Sequence, residues 1–268
     1  MQKKIDNLSL VYLLFLAMLF LSGTLSGALS TVVYFLAFVI PIAIGLYLAK
    51  DEKTDRKKYL ALDYEGVRRT LPIIAPAVSV VIILSVLTSL VIYLAFGKTN
   101  SVDVGDAFLP AIIRHALIPA VLEELLFRYL PMRLLLPHSG RWTVLISAFF
   151  FALIHHDLFV IPYAFAAGVI FMVVDIAIDS VIPSMIIHFI NNAISVSLLV
   201  FGDNPNFAPF VYIMLGLATF LSLIDIIGGK YYPARVKYAL KEGEGAKMTP
   251  SMIAFAVITM AIAVASLL

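Results

Sequence analysis

Nine apolar runs, separated by short polar stretches, leave this chain little choice of architecture. They cover about residues 9–23, 26–49, 73–96, 107–136, 142–156, 159–178, 181–201, 208–228 and 250–268. A run of roughly 18 or more apolar residues is a candidate membrane helix, although the fifth is short. The first two are separated only by "SGTLSG" and suit a tight helical hairpin. A membrane β-barrel would instead show short segments of alternating polarity. Composition agrees, with 62% hydrophobic residues, 13% charged residues and a mean hydropathy of +1.02. A soluble domain is about 45–50% apolar and about 25% charged. The expected fold class is all-α: a polytopic transmembrane bundle of about eight to nine spans with a central intramembrane cavity. The expected domain organisation is one integral membrane domain over 1–268. Within it a core of about 107–200 carries the chemistry, and spans over 1–96 and 208–268 flank it.

Charge sets the expected orientation. The stretch 50–69 holds seven Lys and Arg residues and 230–247 holds five, whereas 97–106 holds one and 201–207 none. A cytoplasmic N-terminus places both basic loops, and also Arg133 and Arg141, on the inside. Nine spans then put the C-terminus outside. The first run reads as a first span or signal anchor rather than a cleaved signal. Trp142 suits either an interfacial anchor or an ordinary packed aromatic. The net charge of +2 points to no nucleic-acid partner, and the absence of cysteine excludes disulfides and Cys-ligated zinc.

The fourth run carries Arg114, His115, Glu123, Glu124 and Arg128. Charged side chains at mid-bilayer cost about 2.5–3.5 kcal/mol each on insertion scales, and they usually face the bundle interior or a wet cavity. Helical spacing separates the two glutamates. Glu124 and Arg128 are four apart and can pair. Glu123 lies about 100° around the helix. Glu124 and Arg128 are therefore expected as a supporting ion pair, and Glu123 as the group free for proton chemistry. Pro119 is expected to kink the helix one turn before Glu123. In "FFFALIHHDLF", Phe151 and His155 share a face and His156 points elsewhere. In "VIPSMIIHFINNAIS", His188 and Asn192 project together, and Asn191 is an alternative partner. Counted from the cytoplasmic helix ends, Glu123 is roughly 15 Å deep and His188 roughly 10 Å.

A carboxylate with a histidine can deprotonate water, and imidazole or carboxamide N–H groups can stabilise an oxyanion. Ser184 and Ser195 lack a paired base, which favours direct attack by water over an acyl-enzyme. The alternative is a His₂Glu zinc site formed by Glu123, His155 and His188, although the H-E-x-x-H signature is absent.

Three motifs in order complete the reading. "EELLFR" (123–128) fits E-E-x-x-x-R, "FALIH" (151–155) fits F-x-x-x-H, and "HFINN" (188–192) fits H-x-x-x-N. This set resembles the type II CAAX prenyl endopeptidases and the wider CPBP (Abi) family, over about residues 107–200. The resemblance implies an intramembrane glutamate protease whose cavity opens to the cytosol, with the site in the cytoplasmic half of the bilayer. It implies cleavage near the lipidated, CAAX-type C-terminus of a peptide or protein substrate, in contact with membrane lipid. Glu123 and His155 would activate water, His188 and Asn192 would form the oxyanion hole, and no cofactor is expected. Two other function classes are consistent with the residues: a transporter with a mid-membrane proton relay, and a non-catalytic CPBP-type scaffold or immunity protein.

Overall fold

The computed structural model describes residues 1–50, 58–97, 107–228, 241 and 243–265, and among these every regular element is helical. Nine helical units follow one another: α1 (Gln2–Thr24), α2 (Gly27–Leu48), α3 (Tyr64–Phe96), α4 (108–134), α5 (Gly140–Leu153), α6 (Ile161–Ile178), α7 (Ile182–Phe201), α8 (Phe207–Ile227) and α9 (Pro250–Ala265). Six of them (α1, α2, α3, α6, α7 and α8) are long and apolar enough to cross a membrane, and α5 and α9 are shorter apolar helices. The chain is an integral membrane protein built as an all-α bundle. The loop segments 51–57, 98–106 and 229–240, on which much of the orientation argument falls, lie outside the described residues.

Two helices begin earlier than their apolar runs. α1 starts at Gln2, where the Met1 amine meets Glu244 at 2.8 Å and the Gln2 side chain bonds the Lys247 backbone in both directions. α3 starts at Tyr64, because the Asp63 carboxylate accepts from Gly66 N at 2.7 Å and caps the helix. Local capping extends a helix past the point where hydrophobicity stops signalling it.

The main core gathers α1, α2, α4, α5, α6 and α9 around an aromatic cluster of Tyr12, Phe15, Phe127 and Phe150. A smaller one joins α3, α6 and α7 through Val78, Val81, Phe171 and Ile187. By contrast, α8 buries none of its residues in the bundle. It presents an apolar surface to lipid and meets α3 through a 2.6 Å Ser79–Thr219 hydrogen bond. α5 and α6 approach closely at Gly168, where an added Cβ would lie 2.9 Å from the Ala148 backbone.

α4 is one rod with two changes of helical register. Its α-helical pieces Phe108–Ile112, Ile118–Glu124 and Leu130–Leu134 are joined by π-helical segments Ile113–Leu117 and Leu125–Tyr129. Each π segment is followed at the second position by a proline, Pro119 or Pro131. Proline has no N–H to return to the preceding turn, so a helix there leaves carbonyls without their usual donors. At Pro131 the affected carbonyls are those of Leu126 and Phe127, for five- and four-residue bonding. The Tyr12 hydroxyl donates to the first at 3.2 Å and the Ser147 hydroxyl donates to the second. Groups from α1 and α5 thus replace the missing backbone donor, which a bilayer core demands. The kink expected at Pro119 takes the form of a π turn, and Pro131 marks a second one.

Candidate active site

The short α-helical piece between the two π segments carries both glutamates, and their environments differ. Glu124 is fully buried. Its Oε2 lies 3.1 Å from Arg128 Nε, and its Oε1 accepts from His188 Nδ1 at 2.7 Å. The rest of the Arg128 guanidinium has no hydrogen-bond acceptor among the described residues. It lies against aromatic faces instead, 4.1 Å from the Phe151 ring centre and 5.4 Å from that of Phe171. A weakly hydrated planar cation is stabilised by such faces, so the pair is held by one carboxylate and two rings. The ion pair expected from the four-residue spacing forms, even though the spacing runs into the π segment.

Glu123 is only partly buried and makes no hydrogen bond or ion pair among the described residues. Its ionisable neighbours are His188, Glu124 and Arg128, and it is also within electrostatic reach of Tyr34 on α2. Thus of two adjacent carboxylates, one is fully engaged and the other is available.

The two histidines in "HH" diverge because the chain turns there. α5 ends at Leu153, and His156 takes φ +51°, the left-handed region that stops a helix. His155 folds back, with Nδ1 2.9 Å from the Phe151 carbonyl and its ring edge-on to Phe151. A carbonyl only accepts, so Nδ1 carries the proton and Nε2 is left as an acceptor. The Phe151 ring also meets His188 edge-on, at 5.8 Å between centres. His188 is therefore a neighbour of both Glu123 and His155.

On α7, Asn191 Nδ2 donates to Asn192 Oδ1 at 3.2 Å, which leaves the Asn192 N–H groups unspent. His188 and Asn192 are one turn apart on this regular helix. Their placement is set from α6. Asp175, fully buried, accepts from Ser184 N at 3.0 Å and so caps the first turn of α7. Asp175 also lies in the field of Glu124 and Arg128. Sequence reasoning passed over Asp175, although an acid inside "FMVVDIAI" was a usable signal. It also passed over Tyr34, which carries no such signal.

The zinc alternative turns on whether Glu123, His155 and His188 converge. The Nδ1 of His188 meets Glu124 and that of His155 meets the Phe151 carbonyl, which in each ring leaves Nε2 as the uncommitted nitrogen. Among the described residues no three His, Asp or Glu side chains converge as a metal-ligand set.

Two cavities border the helices that carry these residues. One of ≈ 630 Å³ lies between the α1–α2 hairpin and the N-terminal part of α4, lined by Tyr34, Arg114, His115 and Pro119 among others. The other, of ≈ 820 Å³, is lined by His155, Asn191, Ser85, Asp157, Tyr163 and Ser195 with apolar residues of α3 and α7.

Residues 105–194 match the family model Rce1-like, described as type II CAAX prenyl endopeptidase Rce1-like. The matched stretch contains all three motifs and the whole Glu124–Arg128–His188 cluster. No curated protein and no solved structure matches the chain. The family match supports a CAAX-type intramembrane protease kind of function, acting on a peptide or protein substrate.

Proposed function

From a core that matches the type II CAAX prenyl endopeptidases, we propose that this chain hydrolyses a peptide bond near the lipidated C-terminus of its substrate, with Glu123 as the general base. The observation that carries this reading is the division between the glutamates. Glu124 is held by Arg128 at 3.1 Å and by His188 at 2.7 Å, while Glu123 has no such partner among the described residues.

In the proposed reaction Glu123 takes a proton from water, assisted by the acceptor Nε2 of His155. The water oxygen bonds to the scissile carbonyl carbon, and the carbonyl oxygen becomes an oxyanion. His188 Nε2 and Asn192 Nδ2 donate to that oxyanion. Donation from His188 Nε2 requires the doubly protonated ring, for which Glu124 is the counter-charge. Collapse breaks the C–N bond, and the proton held by Glu123 passes to the leaving amine. The Ser184 hydroxyl donates to the Val181 carbonyl at 2.9 Å and also lies beside the Glu124 and Asp175 carboxylates, and the Ser195 hydroxyl donates to the Asn191 carbonyl at 3.0 Å. The reading also takes the N-terminus as cytoplasmic and the site as lying in the cytoplasmic half of the bilayer, with lipid as a second partner.

Cleavage of a prenylated peptide by purified protein, with and without EDTA, tests the proposal. The expected result is cleavage that survives EDTA and falls by roughly 10²–10⁴-fold in Glu123→Ala. A folded protein that cleaves no lipidated peptide, or one indifferent to Glu123→Ala, overturns it. Proteoliposome flux that depends on Glu123 without proteolysis selects a transporter instead.

A further inference from the structure

We infer that the cavity beside Glu123 is a receptor for the free C-terminal carboxylate of the substrate, with Arg114 as its anchor; this rests on the protease reading above. The cavity of ≈ 630 Å³ is lined by Arg114, His115 and Tyr34 together with Ser22, Ser30 and Thr31. Ser22 and Ser30 have donated their hydroxyls to each other's carbonyls, at 3.1 and 2.9 Å, which closes the tip of the α1–α2 hairpin. The guanidinium of Arg114, the ring of His115 and the hydroxyl of Tyr34 make no hydrogen bond or ion pair among the described residues. A helical segment inside an apolar run thus directs a cation, an imidazole and a phenol toward one polar cavity. Such a donor set is complementary to a carboxylate, which a guanidinium binds with two parallel N–H groups.

The placement fits a site that measures a chain end. Ile118 and Pro119, on the cavity wall, precede Glu123 by about one helical turn on α4, so the cavity borders the stretch that carries the base. Arg114 and Glu123 are nine residues apart on α4, roughly 13 Å of helix rise. At roughly 3.3–3.6 Å per extended residue, a fragment of about three or four residues spans that rise. The π turn over Ile113–Leu117 sets which face of α4 carries Arg114 and His115. In this arrangement the released fragment lies between the base and the arginine, and its terminal charge fixes which bond is presented.

Two lipidated peptides, identical except for a C-terminal carboxylate or carboxamide, test the inference on the full chain. The wild type is expected to prefer the carboxylate in kcat/KM by roughly ten- to a hundredfold. That ratio collapses toward one in Arg114→Gln, is partly restored in Arg114→Lys, and falls less in Tyr34→Phe. An unchanged ratio in Arg114→Gln overturns the inference. So does an equal loss for both peptides, which assigns Arg114 to packing or to a lipid phosphate. If neither peptide is cleaved, the protease reading fails separately. Binding of the same two peptides to the Glu123→Ala protein then decides: an Arg114-dependent preference for the carboxylate supports the receptor, and equal binding overturns it.

Discussion

The two π turns of α4 use the same local device to opposite ends. Both are five residues long and both precede an X-Pro step. The C-terminal one, Leu125–Tyr129, is plugged: Tyr12 and Ser147 supply its carbonyls and Phe127 is fully buried. The N-terminal one, Ile113–Leu117, borders a cavity that Arg114, His115 and Pro119 line. The sequence device frees backbone and shifts register in both places. The neighbouring helices decide whether the result is a sealed core or a pocket. The glutamates sit between the two, and each takes the character of the side it faces.

This contrast can be broken from the sealed side first. Arg128→Met strands the buried Glu124 carboxylate and is expected to cost about 3–5 kcal/mol, read as detergent-solubilised thermal or denaturant unfolding. Replacing both partners, as in Glu124→Leu with Arg128→Met, recovers most of that stability and leaves cleavage abolished, because His188 loses its anchor. Recovery of cleavage in the double variant would show that Glu124 is only a counter-charge. Ser147→Ala comes next, at about 1–3 kcal/mol, since the Phe127 carbonyl is left in an apolar core without a donor.

The prolines sharpen the comparison with smaller effects. Pro119→Ala supplies an N–H to carbonyls that no other described donor serves, and unfolding experiments should show a gain of up to about 1 kcal/mol with reduced cleavage. Pro131→Ala adds a donor where Tyr12 and Ser147 already serve, so it should show no such gain. Equal gains at both positions would erase the distinction between the turns. The smallest expected effect lies outside the membrane. The Met1 amine and His138 hold the exposed Glu244 carboxyl down at about 2, against an ordinary 4.5. A depressed carboxyl contributes stability above its unfolded value and loses it as pH falls from about 4.5 through about 2. Glu244→Gln should therefore lower the unfolding midpoint slightly at neutral pH and flatten its acid limb, so that the two proteins converge as pH falls towards about 2.

Much of the bundle was legible because membrane spans are specified by apolarity, which is local. The Glu124–Arg128 pair was legible for the same reason, since four-residue spacing is a property of one helix. The His188–Glu124 bond was not, because it depends on the register between α4 and α7. That register is set by Asp175 capping the first turn of α7. The π turns were only half visible. Pro119 announced a break, but a change in hydrogen-bond register leaves no mark in a hydrophobic pattern, and Pro131 drew no notice. His155 and His156 are identical letters, separated only by the left-handed turn at His156.

The stacking of Arg128 on Phe151 and Phe171 has a consequence for biogenesis. The groups that shield the Glu124–Arg128 pair are all made after α4: Phe151 on α5, Phe171 on α6 and His188 on α7. A nascent chain that ends after α4 therefore presents the translocon with Arg114, Glu123, Glu124 and Arg128 in one apolar segment and no completed shelter. Stable residence of α4 in the bilayer must wait for three further helices, so the fourth span is threaded early and secured late.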